Sequence, residues 1–342
     1  MRNETRKLFN GYLQQVAKLN GVDNATEKFN VTPSVQQKLE SAIQEASGLL
    51  KRVNIIGVEQ QEGEALLLGV NGPIASRTNT AAGNRRNPAD RSALTKDAYS
   101  CKQTNFDSAF PYALIDAWAK FPDFQVRLAG SITERQALDR IMIGFNGTSA
   151  AAVSNIATNP MLQDVNIGWL QKVRTAATDR VMDSGNTAGS VRIGPNTDGA
   201  TPTDDYKTLD GLVFDAVQML DPWHRNHPNL VVMISRDLLQ DKLLAAVEKG
   251  SASNQEENAA DQIVTKARLG GLPIVDAPFF PAGTVLITTL SNLSIYFQEG
   301  ARRRHVKDEP EYDRIADYQS SNDAYVIEDF GLVALVEKIV VV

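Results

Sequence analysis

Residues 71–99 set the first constraint on any fold. Gly72, Pro73, Gly83 and Pro88 interrupt this stretch, Arg77, Arg85, Arg86 and Arg91 charge it, and large apolar side chains are scarce. A loop of this length without a core of its own is uncommon inside a compact domain, and is usually functional or disordered. Strand-like sequence at 66–70 and 99–106 flanks it and predicts an extended two-stranded flap. Two strands alone are marginally stable in water, so such a flap needs a partner surface. The competing reading is a disordered surface insertion.

The rest of the chain can bury a core. Of its 342 residues, 42% are hydrophobic and 22% charged, enough for one large domain or a few smaller ones. The formal net charge of −6 argues against a dedicated nucleic-acid binder, which needs clustered Lys and Arg to neutralise phosphates. Cys101 is the only cysteine, which excludes an intrachain disulfide and fits folding in a reducing compartment. Residues 1–7 lead into no apolar segment of the signal-peptide kind, and no run of about 18 apolar residues is present to span a membrane. The expectation is synthesis in a cytoplasm without membrane contact.

Along the chain, Leu8, Tyr12, Leu13, Val16 and Leu19 repeat at helical spacing up to Gly21, and a polar stretch at 23–32 follows. This helix is a docking arm or simply a packed first helix. Pro33 opens a second helix with Val35, Leu39, Ile43, Ala46 and Leu50 on one side. A strand is expected over 53–58 and a short helix over 111–120. Phe124, Leu128, Ile132, Leu138, Ile141, Met142 and Phe145 then predict one long helix over 123–145, stopped at Asn146-Gly147. At a rise of about 1.5 Å per residue, it spans roughly a domain's diameter. Residues 147–160 read as a linker, 161–182 as a helix and 183–204 as a flexible segment. An α/β pattern follows, with helices at 209–220, 236–247 and 259–266 and buried strands at 230–234, 272–275 and 285–289. The end is strand-rich, at 293–298, 302–306, 325–328 and 332–342.

Chemistry is hard to find. His224 and His227 lie in an expected loop between two prolines, without a third metal ligand in sequence. No phosphate-binding glycine motif or nucleophile elbow is present, and nothing marks Cys101 as a nucleophile. The sequence predicts no catalytic residue, no cofactor and no metal site. Arg302, Arg303 and Arg304, followed by Asp308, Glu309 and Glu311, suit either pairing between subunits or a solvated hairpin end.

The order of parts resembles the HK97-like capsid fold, an α+β architecture. It has an N-terminal arm, an extended loop, a long spine helix, an axial domain and a peripheral domain. The residues 1–6 (MRNETR), 71–76 (NGPIAS), 159–165 (NPMLQDV), 168–172 (GWLQK) and 293–297 (LSIYF) resemble the P2-type phage major capsid proteins. The likeness runs through essentially the whole chain in the same order.

The resemblance implies a removable N-terminal segment at 1–29, an N-arm at 30–63 and the extended loop at 64–106. Next come a peripheral domain with the spine helix at 107–204, an axial domain at 205–291 and peripheral return strands at 292–342. It further implies a subunit that assembles with an internal scaffold, also a protease, into pentamers and hexamers. These form an icosahedral head around double-stranded DNA, which is touched weakly and non-specifically. A portal protein is an expected partner and the virion the expected location. Cleavage is expected near Phe29 or Asn30, because a polar stretch after an autonomous helix tolerates it. Arg77, Arg85, Arg86, Arg91, Arg302, Arg303 and Arg304 are the expected inter-subunit contacts. The rivals are a cargo-enclosing nanocompartment shell of the same fold and a cytoplasmic α/β enzyme with a pocket in 209–289.

Overall fold

Apolar runs sort the described residues into two large sheets, two small two-stranded ones and one long helix that shares a core with both large sheets. The computed structural model describes residues 1–70, 75, 77, 85, 92–118, 124–197, 203–240 and 268–342. Helix α1 (Asn3–Asn20) stops at Gly21, whose φ of 65° places it in the left-handed region that a helix end favours. A two-residue strand, β1 (Phe29–Asn30), leads to α2 (Pro33–Glu45), which begins at proline as expected. After β2 (Asn54–Val58), the strands β3 (Glu62–Val70) and β4 (Ser92–Ser100) pair with each other antiparallel, Glu62 opposite Ser100 through Val70 opposite Ser92. The flap therefore exists, and its return strand starts seven residues earlier than Tyr99 suggested.

Short strands β5 (Lys102–Asn105) and β6 (Ser108–Pro111) precede α3 (Tyr112–Trp118) and the long helix α4 (Phe124–Asn146). Then follow α5 (Trp169–Ala176), β7 (Val181–Met182), β8 (Val191–Ile193), α6 (Leu209–Ala216) and β9 (Val231–Ile234). Thr208 caps α6 by accepting a hydrogen bond from the Gly211 amide at 3.1 Å. The remaining strands are β10 (Arg268–Leu269), β11 (Leu272–Val275), β12 (Val285–Thr288), β13 (Leu293–Gln298), β14 (Arg303–Glu309), β15 (Arg314–Ile327), β16 (Ala334–Val336) and β17 (Ile339–Val341).

The first sheet runs β1-β14-β15-β13-β2, with β5 and β6 also on β15. The second runs β10-β11-β9-β12-β16-β7. Its central strands are buried on both faces, which is why they read as continuous apolar runs. Val231, Met233, Leu286 and Leu335 enter a core shared with α4, α5 and the first sheet. Val232, Ile234, Ile287 and Val336 enter a second core under α6. Trp169 joins the layers: it is buried between Phe145 and Tyr325, edge-on to both at 5.3 Å, and its Nε1 donates to Ser294 O at 2.9 Å. Gly144 makes room for it, since a Cβ there would lie 2.3 Å from the indole ring.

Some expectations need correction. The helix expected over 161–182 is confined to α5, because Leu162 takes a φ of 56° and the Asp164 carboxylate collects donors from the preceding loop. The segment expected to be flexible over 183–204 contains β8, buried at Val191 and Ile193 and paired with β17. Its residues 198–202 lie outside the described residues. The helix expected over 236–247 is seen for 236–240; the rest of it, and the helix expected over 259–266, lie outside the described residues. The strand expected over 332–342 divides at Lys338, φ 56°, into β16 and β17. β16 joins the second sheet beside β12 and β7, and β17 pairs with β8 in a separate two-stranded sheet, so neither pairs with the first sheet.

Candidate shell-building surfaces

A buried charge cluster ties the N-arm, the long helix and the first sheet together. Arg140 on α4 is fully buried between Glu40 of α2 and Asp323 of β15. It donates through Nη1 and Nη2 to Glu40, and through Nε and Nη2 to Asp323 at 3.1 and 3.2 Å. Arg302, 1% exposed, adds a second guanidinium: its Nη1 donates to Glu40 Oε1 at 2.9 Å and its Nη2 to Gln136 Oε1 at 2.8 Å. Two cations and two carboxylates balance inside the protein, the condition under which buried charge is tolerated. Burial pushes the Glu40 carboxyl up, and the two guanidiniums outweigh it, so its pKa is lowered. Burial disfavours the Arg140 cation, and Asp323 and Glu40 more than restore it, so its pKa is raised.

For Arg302 this placement corrects the expectation of an inter-subunit contact. Strand alternation turns Arg302 and Arg304 inward and Arg303 outward. Arg302 is engaged inside the subunit. Arg304 is paired with Asp317 at 2.7 Å and donates to the Tyr12 hydroxyl at 2.7 Å. Arg303 is exposed. Of the flap arginines, Arg77 and Arg85 are exposed, and Arg86 and Arg91 lie outside the described residues. Sequence reasoning missed Glu40, Arg140 and Asp323 altogether, because Arg140 lies 100 and 183 residues from its two partners.

The N-terminal segment covers an edge and an apolar patch. Phe29 and Asn30 pair with Arg304 and Arg303 on the outer side of β14. The Val306 amide donates to Ala25 O at 3.3 Å, and His305 Nε2 lies 2.9 Å from Thr26 O. Met1, Phe9 and Leu13 pack on Tyr112, Ile115, Val306 and Ile315. Arg6 pairs with Asp308 at 3.1 Å, and Tyr112 donates to the same carboxylate. Phe29 is 8% exposed, so a protease reaching the bond beside it needs β1 to leave β14 first.

Among the described residues, the flap meets the body at its root. Tyr99 packs edge-on to Tyr296 at 5.2 Å, and the Cys101 amide donates to Gln61 O at 2.8 Å. Cys101 is fully buried beside Ala324 and Val326, and burial pushes its thiol up to about 12, which suits a packing residue. Neither histidine of the 224–227 pair looks toward the other: His224 Nε2 meets Asp329 at 2.9 Å, and His227 Nδ1 accepts from the Asn229 amide at 3.2 Å.

A long helix across a mixed sheet, a two-stranded flap that forms its own sheet and a second, doubly covered sheet define an HK97-like capsid subunit. A capsid structure of an empty GTA particle shares this fold, with a TM-score of 0.51 at 17% identity over 86% of this chain and 90% of that one. The chain belongs to the P2 family of phage major capsid proteins, whose family model matches residues 8–339. It is 46% identical to the "Capsid proteins" of Escherichia phage P2, over 99% of this chain and 95% of that protein. It is 44% identical to the major capsid protein of Serratia phage KSP20, over 99% of this chain and 97% of that protein. A solved structure of the satellite phage P4 procapsid including size determination (Sid) protein matches with a TM-score of 0.80 and 43% identity, over 100% of this chain and 99% of that one. The protein is a structural component of a phage capsid shell.

Proposed function

We propose that this subunit assembles, with an internal scaffold that is also a protease, into pentamers and hexamers that close an icosahedral head. The head encloses double-stranded DNA through weak, non-specific contacts and is completed by a portal protein. The observation that carries the reading is the flap: nine-residue strands β3 and β4 pair with each other and project from a root at Tyr99 and Cys101. A ribbon of that kind gains stability by lying on a neighbour. Many copies of one modest contact, closed by symmetry, give a strong shell. The subunit is synthesised in the host cytoplasm and acts without catalysis. Arg77, Arg85, Arg86 and Arg91 of the flap, with Arg303 on the sheet, contact acidic surfaces of neighbouring copies. The segment before Phe29 or Asn30 is removed after assembly, once β1 has come away from β14.

Electron microscopy and sedimentation velocity of the purified protein, with and without its candidate scaffold, test this reading. Hollow spheres or five- and six-membered rings are expected. A stable monomer under both conditions overturns the proposal. N-terminal sequencing of purified particles reads the cleavage, and Met1 or Arg2 as the first residue refutes it.

A further inference from the structure

Between Gly147 and Gly168 the only charged residue is Asp164, and its carboxylate is buried. All residues from 148 to 158 are exposed, in a chain of which 22% is charged. Val153 and Ile156 stand out at 85% and 71% exposure. Single exposed apolar side chains are ordinary on a protein surface; here two of them share a loop that carries no exposed charge.

The loop is also built to hold its shape. Gly168 N–H donates to Gly147 O at 3.0 Å and closes its ends. A Cβ at Gly147 would lie 2.2 Å from Asn166 O, and one at Gly168 would lie 2.4 Å from Ile143 O, so the closure depends on glycine. Gln163 O accepts from the amides of Thr148 and Ser149 at 2.7 and 3.1 Å. Asp164 Oδ2 accepts from the Asn155 amide at 2.7 Å and from Asn159 Nδ2 at 3.0 Å. One inward carboxylate thus fixes the loop while leaving its surface neutral. A surface ordered in advance loses little entropy on association.

We infer that residues 147–168 pack against the same loop of neighbouring copies around a rotation axis of the shell, with Val153 and Ile156 at the contact. The inference rests on the closed shell proposed above. Symmetry gives the reason for the missing charge. Around a rotation axis a residue faces its own copies, so a charge there meets a like charge. The exposed aromatic residues Phe214 and Trp223 do not meet this condition. Phe214 shares its helix with Asp210 and Asp215, and Trp223 lies beside Asp221 and Arg225.

Val153→Cys in the full-length protein tests the self-contact, because Cys101, the one native cysteine, is fully buried. Assembled shells treated with a short bismaleimide are expected to yield covalent dimers on a denaturing gel, and unassembled subunits to yield none. Val153→Asp with Ile156→Asp is expected to leave a soluble subunit with an unchanged circular dichroism spectrum, while shell yield falls at least about tenfold. Shells that form without crosslinks, from a variant whose free subunits do react with a monofunctional maleimide, overturn the inference. Undiminished assembly of the doubly charged variant also overturns it. If the unaltered protein forms no shells at all, it is the closed-shell reading that fails.

Discussion

At Arg140, carboxylates from two distant parts of the chain share one guanidinium, and Arg302 brings the buried cluster to neutrality. Replacing Arg140 by Met leaves Glu40 and Asp323 buried without it, a loss of about 3–5 kcal/mol by comparison with other broken buried pairs. Urea unfolding of the unassembled subunit reads this directly. Glu40 also sets a pH dependence. Its folded pKa lies below its ordinary 4.5, so its contribution is present above the unfolded carboxylate range and is lost as pH falls through the folded value. Glu40→Gln should therefore be less stable than the unaltered protein near neutrality, and the gap should narrow as pH falls through and below the ordinary carboxylate range. A gap that stays constant over that range would sink the assignment. None of this cluster was legible in the sequence, because a buried ion pair leaves no local pattern when its partners are far apart in the chain. The triplet at 302–304 did carry a usable signal. Period-two alternation groups Arg302 and Arg304 with Val306 on one face and leaves Arg303 with His305 on the other, and reading the three arginines as one patch overlooked it.

Helix α4 shows what an element's own sequence can and cannot reveal. Its length and its stop were legible, because an apolar repeat and Asn146-Gly147 are local signals. Its two glycines were not distinguishable from sequence, yet they do opposite things. A Cβ on Gly130 would have nothing within 4 Å of it, whereas a Cβ on Gly144 falls 2.3 Å from the Trp169 ring. Gly130→Ala should stabilise the subunit by up to about 1 kcal/mol through helix propensity. Gly144→Ala should destabilise it by about 1–3 kcal/mol, because overpacking against a buried indole outweighs the same gain. Thermal unfolding of the two variants side by side is the check, and equal shifts in Tm would refute the role given to Gly144. The stretch at 161–182 failed for the converse reason. Its apolar residues do recur at helical spacing, but Asp164 and a left-handed Leu162 satisfy the backbone as a loop, and periodicity has no means of registering that competition.

At the scale of the whole molecule, the subunit separates what stabilises the monomer from what builds the shell. Both sheets, α4 and α5 share one continuous core, and the order of these parts was legible because each carries its own apolar rhythm. The pairing of β16 with the second sheet and of β17 with β8 was not legible, since strand pairing across such sequence distance has no local marker. The flap stands apart from this core. Its strands pair with each other, and the described packing with the body is confined to the root around Tyr99, Cys101 and Tyr296. Replacing residues 66–96 by an Asn-Gly turn keeps that root and gives the shortened strands a hairpin closure suited to their twist. The stability of the isolated subunit should then change by less than about 1 kcal/mol, as expected for surface alterations that leave a core intact. Shell formation should be lost, because the ribbon that would lie on a neighbour is gone. Urea unfolding and sedimentation velocity on the same preparation separate the two effects. A shortened subunit that still closes shells would show that the flap is dispensable. One that unfolds far more easily would show that the flap belongs to the core.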